Sequence, residues 1–394
     1  MKPSSLKNKH VILAVTGGIA AYKTAELVRR LRSQEAEVTV VMTESSQRFI
    51  APLTLESLSG NRVCTDIFSE PMAHINLPES ADLFVVAPAT ANIIGKLASG
   101  IADDMVTLSF LAFKGPVIFA PAMNWRMYEH PVVQSNIKTL RDLGFQEIEP
   151  EEGELACGEY GVGRMADVGR IIEAAKGCLT KKDLNGLKVL VVAGPTREYI
   201  DPVRFISNRS SGKMGYALAR VALRRGADVT LVSGPVTVEP PFGTKVVRVE
   251  TSDEMLEAVK KNIGGVDILV MAAAVADFVP DDYSPVKREK GEPFTLRLRP
   301  AQDIVKAVSG MRPRPFIVGF SAETGPNIAK AKKKLREKGM DFIVFNDVTL
   351  EGAGFDHDTN KVSIIDEDGV ADYPLMSKED CAEIIFDHYL RYSK

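Results

Sequence analysis

Cysteine is scarce in this sequence of 394 residues, which contains Cys64, Cys157, Cys178 and Cys381 and no others. The four lie far apart and form neither a CxxC pair nor a Cys/His cluster with the spacing of a zinc site. The sequence also has no apolar run that approaches the ~20 residues of a membrane-spanning helix. These absences argue against a disulfide scaffold, a structural zinc site and a membrane span, although a single cysteine can still take part in chemistry.

A strong charge of one sign is missing as well. The formal net charge is -3 and the isoelectric point is near 6.1, and the dense basic stretch runs only from Lys332 to Lys338. This balance creates no overall basic field, so a nucleic acid is not an expected partner. The amino-terminal MKPSSLKNKH lacks the charged, apolar and small-residue regions of a secretory signal, which predicts a cytoplasmic protein.

Length and composition predict two globular domains. The sequence is 45% hydrophobic and 26% charged with a mean hydropathy of -0.02, values typical of soluble globular proteins. Its length exceeds the roughly 250–300 residues over which a single core usually grows. We expect one domain over residues 1–180 and another over 181–394, with the boundary near Leu179 to Gly186.

Short β-branched runs alternate with helical patterns, which predicts parallel sheets with crossover helices. The first half contains VILAV, a helix from Ala21 to Arg32, EVTVVM, DLFVVAP and PVIFAP. The second half contains LKVLVVAG, a helix from Met214 to Arg225, DVTLVSG, KVVRVE, VDILVMAAA and FIVGFSAE, then a hairpin over KVSIIDEDGVADYPL and a helix from about Ser377. The fold class is therefore α/β, with two Rossmann-like three-layer domains. Their later motifs differ, so they are not an internal repeat.

A glycine-containing turn and four later motifs in the first half indicate chemistry. Thr16-Gly17-Gly18-Ile19 follows the first strand, where ligands bind in open α/β sheets, although glycines also close ordinary turns. It is followed by His74 in MAHINL, by APATAN and PAMNWRMY, and by ACGEYGVGRM in a Gly-punctuated loop. Together the motifs resemble the flavin-dependent cysteine decarboxylase family over roughly residues 8–178.

This resemblance implies a flavodoxin-like domain that binds FMN and decarboxylates 4'-phosphopantothenoylcysteine. In the family, oxidation of the cysteine thiol to a thioaldehyde makes the neighbouring carboxylate a leaving group, and reduction of the product gives 4'-phosphopantetheine. The positions that match the family's FMN contacts are Gly17, Gly18, Ile19, Ser45, Thr90, Ala91, Asn92 and Ala122.

The resemblance also assigns three catalytic residues, each of which has a plainer alternative. His74 would handle the proton of the thiol, although most lone histidines are structural, and Ala73 stands where the family usually has Gly. Asn124 would donate hydrogen bonds to the substrate carboxylate, or simply cap a helix. Cys157 would protonate the enethiolate, or serve as a small buried hydrophobe.

In the second half, SNRSSGKMG is a Ser/Gly-rich entry to a helix that suits phosphate but is not a Walker A motif, because Ser207 and Met214 occupy required positions. With AGPTREYIDPVRF before it, and AAAVADF, a Lys-rich loop and GFSAET after it, it resembles bacterial phosphopantothenoylcysteine synthetases over residues 184–394. A chain with both halves in this order resembles bacterial bifunctional enzymes of coenzyme A synthesis.

This second resemblance implies that a nucleotide-binding ligase domain joins 4'-phosphopantothenate to cysteine through an acyl cytidylate made from CTP. Lys287 matches the lysine that forms the cytidylate, and Asn208 the residue that converts it to the amide. A divalent cation such as Mg2+ would bridge the phosphates, with Asp277 as the plausible protein ligand. Ala301-Gln302 stands where the family has Asn-Pro. The positions that match the family's CTP contacts are Asp277, Lys287, Asp303, Ile304, Phe320, Lys334 and Lys338.

Two other functions fit part of the pattern. A flavin-binding regulatory or scaffold protein could keep the FMN site without catalysis, but His74, Asn124 and Cys157 argue against it. A flavin-dependent prenyltransferase would leave the second half unexplained. The family resemblance further implies a homo-oligomer, in which trimer-based decarboxylase assemblies and dimeric ligase domains build a dodecamer.

Overall fold

The computed structural model describes residues 6–68, 71–154, 158–289, 291, 294–325, 327–352, 354 and 356–392. The chain divides into two compact units, Met1–Thr180 and Lys181–Lys394. Both units are α/β with parallel sheets, which confirms the predicted fold class. Within the described ranges, no helix is long and apolar enough to cross a membrane.

The first unit is built on a parallel sheet whose central strands are buried along most of their length. Among its described residues the sheet has five strands in the order β2-β1-β3-β4-β5. The register places Ala14 opposite Val41 on one side and Val86 on the other. The strands are β1 His10–Val15, β2 Glu37–Met42, β3 Leu83–Ala89, β4 Val117–Pro121 and β5 Gln146–Glu147.

Helices cover both faces of this sheet. Alternate residues of β1 point to opposite faces, so Leu13 joins one buried cluster with Leu27 while Ile12 joins another with Ile93. Three layers result. The helices are α1 Thr24–Ser33, α2 Pro52–Ser59, α3 Ala73–Ser80, α4 Ala91–Ser99, α5 Met105–Ala112, α6 Trp125–Tyr128, α7 Pro131–Asp142 and α8 Val168–Leu179.

Two local predictions for this unit need correction. The helix expected from Ala21 begins as the 3-10 segment Ile19–Lys23 and becomes α-helical only at Thr24; a second 3-10 segment, Glu44–Arg48, follows β2. The stretch interpreted as a Gly-punctuated loop contains an antiparallel pair, β6 Glu151–Glu154 and β7 Tyr160–Arg164. Its glycines allow close backbone approach rather than marking an open loop.

The second unit has an eight-stranded sheet within its described residues, in the order β12-β11-β8-β13-β16-β17-β19-β20. The first six strands are parallel, and β19 and β20 extend the sheet as an antiparallel edge. The predicted hairpin is present there, with Asp366 accepting hydrogen bonds from the amides of its turn. The sheet strands are β8 Lys188–Ala193, β11 Asp228–Ser233, β12 Lys245–Arg248, β13 Ile268–Met271, β16 Phe316–Glu323, β17 Phe342–Asp347, β19 Val362–Ile365 and β20 Val370–Asp372.

Helices on both faces and three short strand pairs complete this unit. α9 and α13 pack against one buried cluster, and α10, α11 and α12 pack against the other. The helices are α9 Lys213–Arg224, α10 Ser252–Asn262, α11 Ile304–Ser309, α12 Ile328–Lys338 and α13 Lys378–Tyr392. The antiparallel pairs are β9 Arg197–Tyr199 with β10 Phe205–Ser207, β14 Phe278–Pro280 with β15 Leu298–Pro300, and β18 Thr359–Asn360 with β21 Met376–Ser377.

Candidate active sites

In the first unit, the loops after β1, β2 and β3 meet at the carboxyl edge of the sheet. A methyl group added to Gly17 would overlap the side chain of Ser45, and one added to Gly18 would lie 3.3 Å from Cγ2 of Thr90. Glycine is therefore needed at position 17 because any larger side chain would push the β1 and β2 loops apart. The fold brings together three segments of the predicted flavin site.

Thr16, which lies between β1 and these glycines, is buried and links the end of β1 to the end of β3. Its hydroxyl donates to the carbonyl of Pro88 at 2.6 Å and accepts from the amide of Thr90 at 3.3 Å. Thr90 in turn caps α4 by accepting from the amide of Ile93. This arrangement fixes the start of α4, whose amino-terminal amides favour an anionic group.

The remaining predicted flavin positions lie along the same edge. Ala91 and Asn92 form the first turn of α4, and the amide of Ala122, just after β4, donates to the carbonyl of Ala89 at 3.0 Å. Ile19 is 60% exposed beside the glycines. Four adjacent strands thus contribute loops with small side chains and backbone amides, a composition that fits a flat cofactor with a phosphate tail.

His74 is the second residue of α3, a helix that follows Met72 in a left-handed conformation. Its Nδ1 is buried and has no hydrogen-bond partner among the described residues. An unpaired buried imidazole nitrogen is costly in a folded protein unless a ligand or water satisfies it. Nδ1 of His74 therefore needs a partner that the described residues do not supply.

Asn124 occupies the amino-terminal cap of α6. Its Oδ1 accepts from the amide of Arg126 at 2.9 Å, which is the plain helix-capping role considered as the alternative. Its Nδ2 donates to Glu159 Oε2 at 3.2 Å. The cap and a donor role are therefore served by different ends of one side chain.

Glu159 was missed by the sequence analysis. It also accepts from Trp125 Nε1 at 2.9 Å and pairs with Arg126 at 2.7 Å. The available signal was its place in the ACGEYG motif, two residues after Cys157. Cys157 itself lies outside the described residues.

The buried carboxylate of Glu147 supports the segment that carries Asn124 and α6. Glu147, whose side chain is 2% exposed, accepts from Tyr128 Oη at 3.1 Å and from Arg141 Nε at 2.6 Å. Burial, together with the negative charge of Glu147, raises the pKa of Tyr128 to about 12. The tyrosine thus stays a donor and holds the carboxyl end of α6 against β5.

In the second unit, a cavity of about 540 Å³ opens at the carboxyl ends of β13 and β16. It is also bordered by the Ser/Gly-rich entry to α9. The predicted residues that line it are Asn208, Asp277, Asp303, Ile304, Phe320, Lys334 and Lys338. Separate segments of the sequence thus converge on one concave site.

Lys334 and Lys338 face this cavity rather than forming an ordinary solvated basic surface. Lys334 Nζ donates to the carbonyl of Phe320 at 2.9 Å, and Lys338 pairs with Asp303 at 2.7 Å. Burial, and then the charge of Lys338, lowers the pKa of Lys334. Burial opposes ionisation of Asp303, but Lys338 and backbone amides keep the pKa of this carboxyl below its usual value.

Asn208 is anchored to the segment that follows β13. Its Nδ2 donates to the carbonyls of Ala274 and Val275 at 3.0 and 3.2 Å. Thr196, buried and not singled out from the sequence, accepts from the amide of Ala276 and binds Ser207 through its carbonyl. These contacts join the Asn208 segment to the loop that carries Asp277.

Lys287 differs from the other predicted ligase residues, because it is exposed on the segment after β14 and is not among the residues that line the cavity. Its neighbour Arg288 donates a backbone hydrogen bond to Asp201 at 3.2 Å. Asp201 is fully buried and also binds Arg204. Although burial alone would raise it, backbone hydrogen bonds and Arg204 hold the pKa of Asp201 below its ordinary value. Asp201 thus anchors one end of the Lys287 segment.

The described residues contain no group of three or more His, Cys, Asp or Glu side chains that could hold a metal ion. Mg2+ usually binds through one or two carboxylates together with substrate phosphates and water. Asp277 at the cavity wall fits that kind of partial coordination. Any Mg2+ at this site would depend on the nucleotide for most of its ligands.

Comparison with known proteins gives matches along the chain. Residues 1–180 match the Flavoprotein family, and residues 184–392 match the DNA/pantothenate metabolism flavoprotein C-terminal domain. The coenzyme A biosynthesis bifunctional protein CoaBC of Bacillus subtilis (strain 168) is 46% identical, with 99% of this chain and 98% of that protein covered. Its namesake from Escherichia coli (strain K12) is 42% identical, with 99% of each covered. The solved carboxy-terminal domain of a CoaBC protein is 40% identical, covers 53% of this chain and 96% of its own, and has a TM-score of 0.46.

Proposed function

We infer the chemistry of each unit from the premise that this chain belongs to the family of bifunctional coenzyme A biosynthesis proteins. It is a bifunctional enzyme, a phosphopantothenoylcysteine decarboxylase and a phosphopantothenate–cysteine ligase. We propose that residues 1–180 carry the decarboxylase and residues 181–394 the ligase. This division gives each half of the chain a reaction. A flavin-binding scaffold or a prenyltransferase would not.

The decarboxylase proposal is supported mainly by the convergence of Gly17, Ser45, Thr90 and Ala122 at one sheet edge. These loops would hold FMN, with the α4 amino terminus and the Gly17-Gly18 amides near its phosphate. Bound there, FMN supplies two-electron oxidation and reduction.

The protein groups would move protons and hold the carboxylate of 4'-phosphopantothenoylcysteine. His74, with its unpaired buried Nδ1, accepts the thiol proton. Asn124 donates a hydrogen bond from its amide to the substrate carboxylate until that group leaves as CO2. Cys157 then donates a proton to the enethiolate carbon, which gives a thioaldehyde, and the two-electron reduction that bound FMN would supply converts it to 4'-phosphopantetheine.

The ligase proposal rests on the cavity of the second unit. Its basic groups would bind the triphosphate of CTP, with Lys334 and Lys338 on one wall and the α9 entry on another. The carboxylate of 4'-phosphopantothenate attacks the α-phosphate, pyrophosphate leaves, and the amine of cysteine then displaces CMP. Such transfers depend on positioning and on neutralised charge.

Two residues would divide these steps. Lys287, on the exposed segment anchored by Asp201, neutralises charge as the carboxylate approaches the α-phosphate. Asn208, held against the Asp277 loop by two hydrogen bonds, orients the acyl cytidylate for attack by the amine. Asp277 would hold Mg2+, which would neutralise charge on the phosphates of the nucleotide.

Three measurements on the purified protein test this assignment. Its absorption spectrum should show bound flavin, 4'-phosphopantothenoylcysteine should release CO2, and CTP with 4'-phosphopantothenate and cysteine should yield CMP and pyrophosphate. Flavin binding without CO2 release would favour the scaffold alternative. Ligation with another nucleoside triphosphate but not with CTP, with release of the monophosphate of that nucleotide, would overturn the nucleotide assignment.

We also propose a homo-oligomer with trimer-based decarboxylase assemblies and dimeric ligase domains, located in the cytoplasm. The mass of the particle in solution tests the assembly, because a dodecamer has the mass of twelve chains of 43.0 kDa each. A stable monomer would contradict it.

A further inference from the structure

The β6–β7 pair lies directly on the loop that carries Asn124. A methyl group added to Gly161 would lie 2.8 Å from Cβ of Trp125, and one added to Gly163 would overlap the carbonyl of Met123. The amide of Met123 also donates to the carbonyl of Gly163 at 3.0 Å. Gly161 and Gly163, which are separated by one residue, therefore let the backbone of β7 pack closely against the Asn124 loop.

Glu159 lies just before β7 and contacts the same loop. Its carboxylate binds three consecutive residues. Oε2 accepts from Asn124 Nδ2 at 3.2 Å and from Trp125 Nε1 at 2.9 Å, and Oε1 pairs with the guanidinium of Arg126 at 2.7 Å. The contacts thus distinguish an inner oxygen, bound by Asn124 and Trp125, from an outer oxygen paired with Arg126.

The inner oxygen determines which end of the Asn124 side chain faces β7. An asparagine amide presents either a donor or an acceptor to a given partner, depending on its flip. Here the backbone amide of Arg126 requires Oδ1 and the Glu159 carboxylate requires Nδ2. Both contacts favour one flip, and the opposite flip would set two oxygens against each other.

We propose that Glu159 is a positioning residue for decarboxylation, which keeps the Asn124 amide turned so that its nitrogen meets the substrate carboxylate. The inference rests on the proposed role of Asn124. An amide nitrogen carries two hydrogens, so donation to Glu159 is compatible with donation to a second carboxylate. Glu159 acts through Asn124 and takes no part in thiol oxidation.

Three variants separate the functions of the two carboxylate oxygens. Glu159→Ala removes both. Glu159→Gln keeps an oxygen that can accept from Asn124 and Trp125 and loses only the charge, since the exposed side chain of Arg126 can turn into solvent. Arg126→Gln is the matched control, because it removes the outer ion pair and leaves the inner contacts.

Single-turnover reactions without oxygen give two readouts from each variant, loss of flavin absorbance for thiol oxidation and labelled CO2 for decarboxylation. We expect Glu159→Ala to slow CO2 release roughly 10- to 100-fold, the scale of a misplaced catalytic group, with flavin absorbance lost at a rate within about threefold of the native rate. Glu159→Gln and Arg126→Gln should both release CO2 within about threefold of the native rate. If Glu159→Gln is as slow as Glu159→Ala, the charge matters rather than the accepted hydrogen bond, and the proposal is wrong.

A double-mutant cycle tests whether Glu159 acts through Asn124. Asn124→Ala should slow CO2 release, and adding Glu159→Ala to it should cause less than about a twofold further loss. Full additivity would overturn the inference. Normal CO2 release from Asn124→Ala would instead refute the proposed role of Asn124, whereas a slow Asn124→Ala beside a normal Glu159→Ala would refute Glu159 alone.

The chain offers two internal checks that a general folding defect would fail. Trp125 is its single tryptophan, so emission from the holoenzyme reports the Glu159 contact and should shift in Glu159→Ala. Glu159→Gln is the spectral control because it keeps an acceptor for the indole, whereas Arg126 lies 5.3 Å over the Trp125 ring and its removal changes the emission by itself. CMP formation by the same preparation should be unchanged, since the ligase residues belong to the other unit. A Glu159→Ala protein with native emission and slow CO2 release would contradict the proposed contact.

Discussion

Each unit has its candidate site at the carboxyl edge of its own parallel sheet, yet the two sites are lined by different groups. In the first unit the loops bring together Gly17, Ser45 and Thr90, which are small and uncharged. In the second unit Lys334, Lys338 and Asp303 face one cavity as coupled charges. The sheet edge supplies a position for a ligand, and the side chains on its loops determine whether a flat cofactor or a polyphosphate fits there.

The units also differ in how a catalytic segment is attached. Close backbone packing of Gly161 and Gly163 and the Glu159 carboxylate hold the Asn124 loop. The Lys287 segment is held by polar contacts around the buried Asp201, which accepts from the amide of Arg288, and by Arg204, which donates to the carbonyl of Arg288. We therefore expect substitutions in the first unit to act mainly through packing and those in the second mainly through charge.

The largest expected effect separates the two units. His74→Asn should slow CO2 release by about 10²- to 10⁴-fold, the usual contribution of a general base, because the amide cannot take up the thiol proton. CMP formation should remain at the native rate, as measured with labelled CTP on the same preparation. Loss of both reactions in a folded variant would show that the units do not act independently.

Lys287→Gln tests the charge-based side of the comparison. It should slow formation of the acyl cytidylate by about 10²- to 10³-fold, the scale seen when a group that stabilises transition-state charge is removed, with a smaller effect on CTP affinity. Asn208→Asp should instead let the cytidylate accumulate. Rapid-quench measurement of the labelled acyl cytidylate tests both expectations. If the cytidylate accumulates in Lys287→Gln but not in Asn208→Asp, the two roles are reversed.

Gly17→Ala tests the packing-based side. The added methyl group overlaps Ser45, and overpacking costs about 1–3 kcal/mol, so FMN affinity should fall by roughly 5- to 150-fold. Gly177→Ala in α8 is the control, since a methyl group added there meets no described atom within 4 Å, and it should bind FMN normally. Fluorescence titration of FMN measures both; partial recovery in Gly17→Ala with Ser45→Gly would locate the clash.

A pH titration sharpens the contrast in charge. The pKa of Lys334 is lowered by burial and by Lys338, and bound triphosphate favours the ammonium form. CTP affinity should therefore be full below that lowered pKa and fall by up to about tenfold as pH rises through it, in line with a hydrogen bond to a charged group. Lys334→Gln should bind CTP more weakly and lose this pH dependence, while FMN affinity should stay flat over the same alkaline range.

The smallest expected effect concerns stability. Tyr128→Phe removes one hydrogen bond to the buried Glu147 and should destabilise the first unit by about 1 kcal/mol, or ~2–4 °C in its thermal midpoint. Arg141 still pairs with Glu147, which limits the loss. Tyr160→Phe, at a residue 71% exposed, should leave the midpoint unchanged; equal shifts in both variants would mean that the Glu147 contact contributes nothing.

The sequence by itself determined the α/β class and the family to which the chain belongs. Runs such as LFVVAPA in β3 are buried along their whole length, so their apolar character needs no tertiary context to be recognised. The ligand loops follow those strands directly, and motifs such as TGGI and SSGKMG are local features. The same local signal did not show that β7 forms a strand, because its glycines are typical of loops when read without their neighbours.

Only the tertiary structure decided how distant side chains pair. Glu159 lies 35 residues from Asn124, and Asp201 lies 87 residues from Arg288, so neither contact has a periodic signal in the sequence. Lys334 and Lys338 are one helical turn apart, a spacing that by itself favours an ordinary solvated face. The packing of α12 beside β17 and α11 turns both side chains toward the cavity. Strand order and helix rotation establish these pairings. Each pairing joins two surfaces that come together only when the sheet has formed.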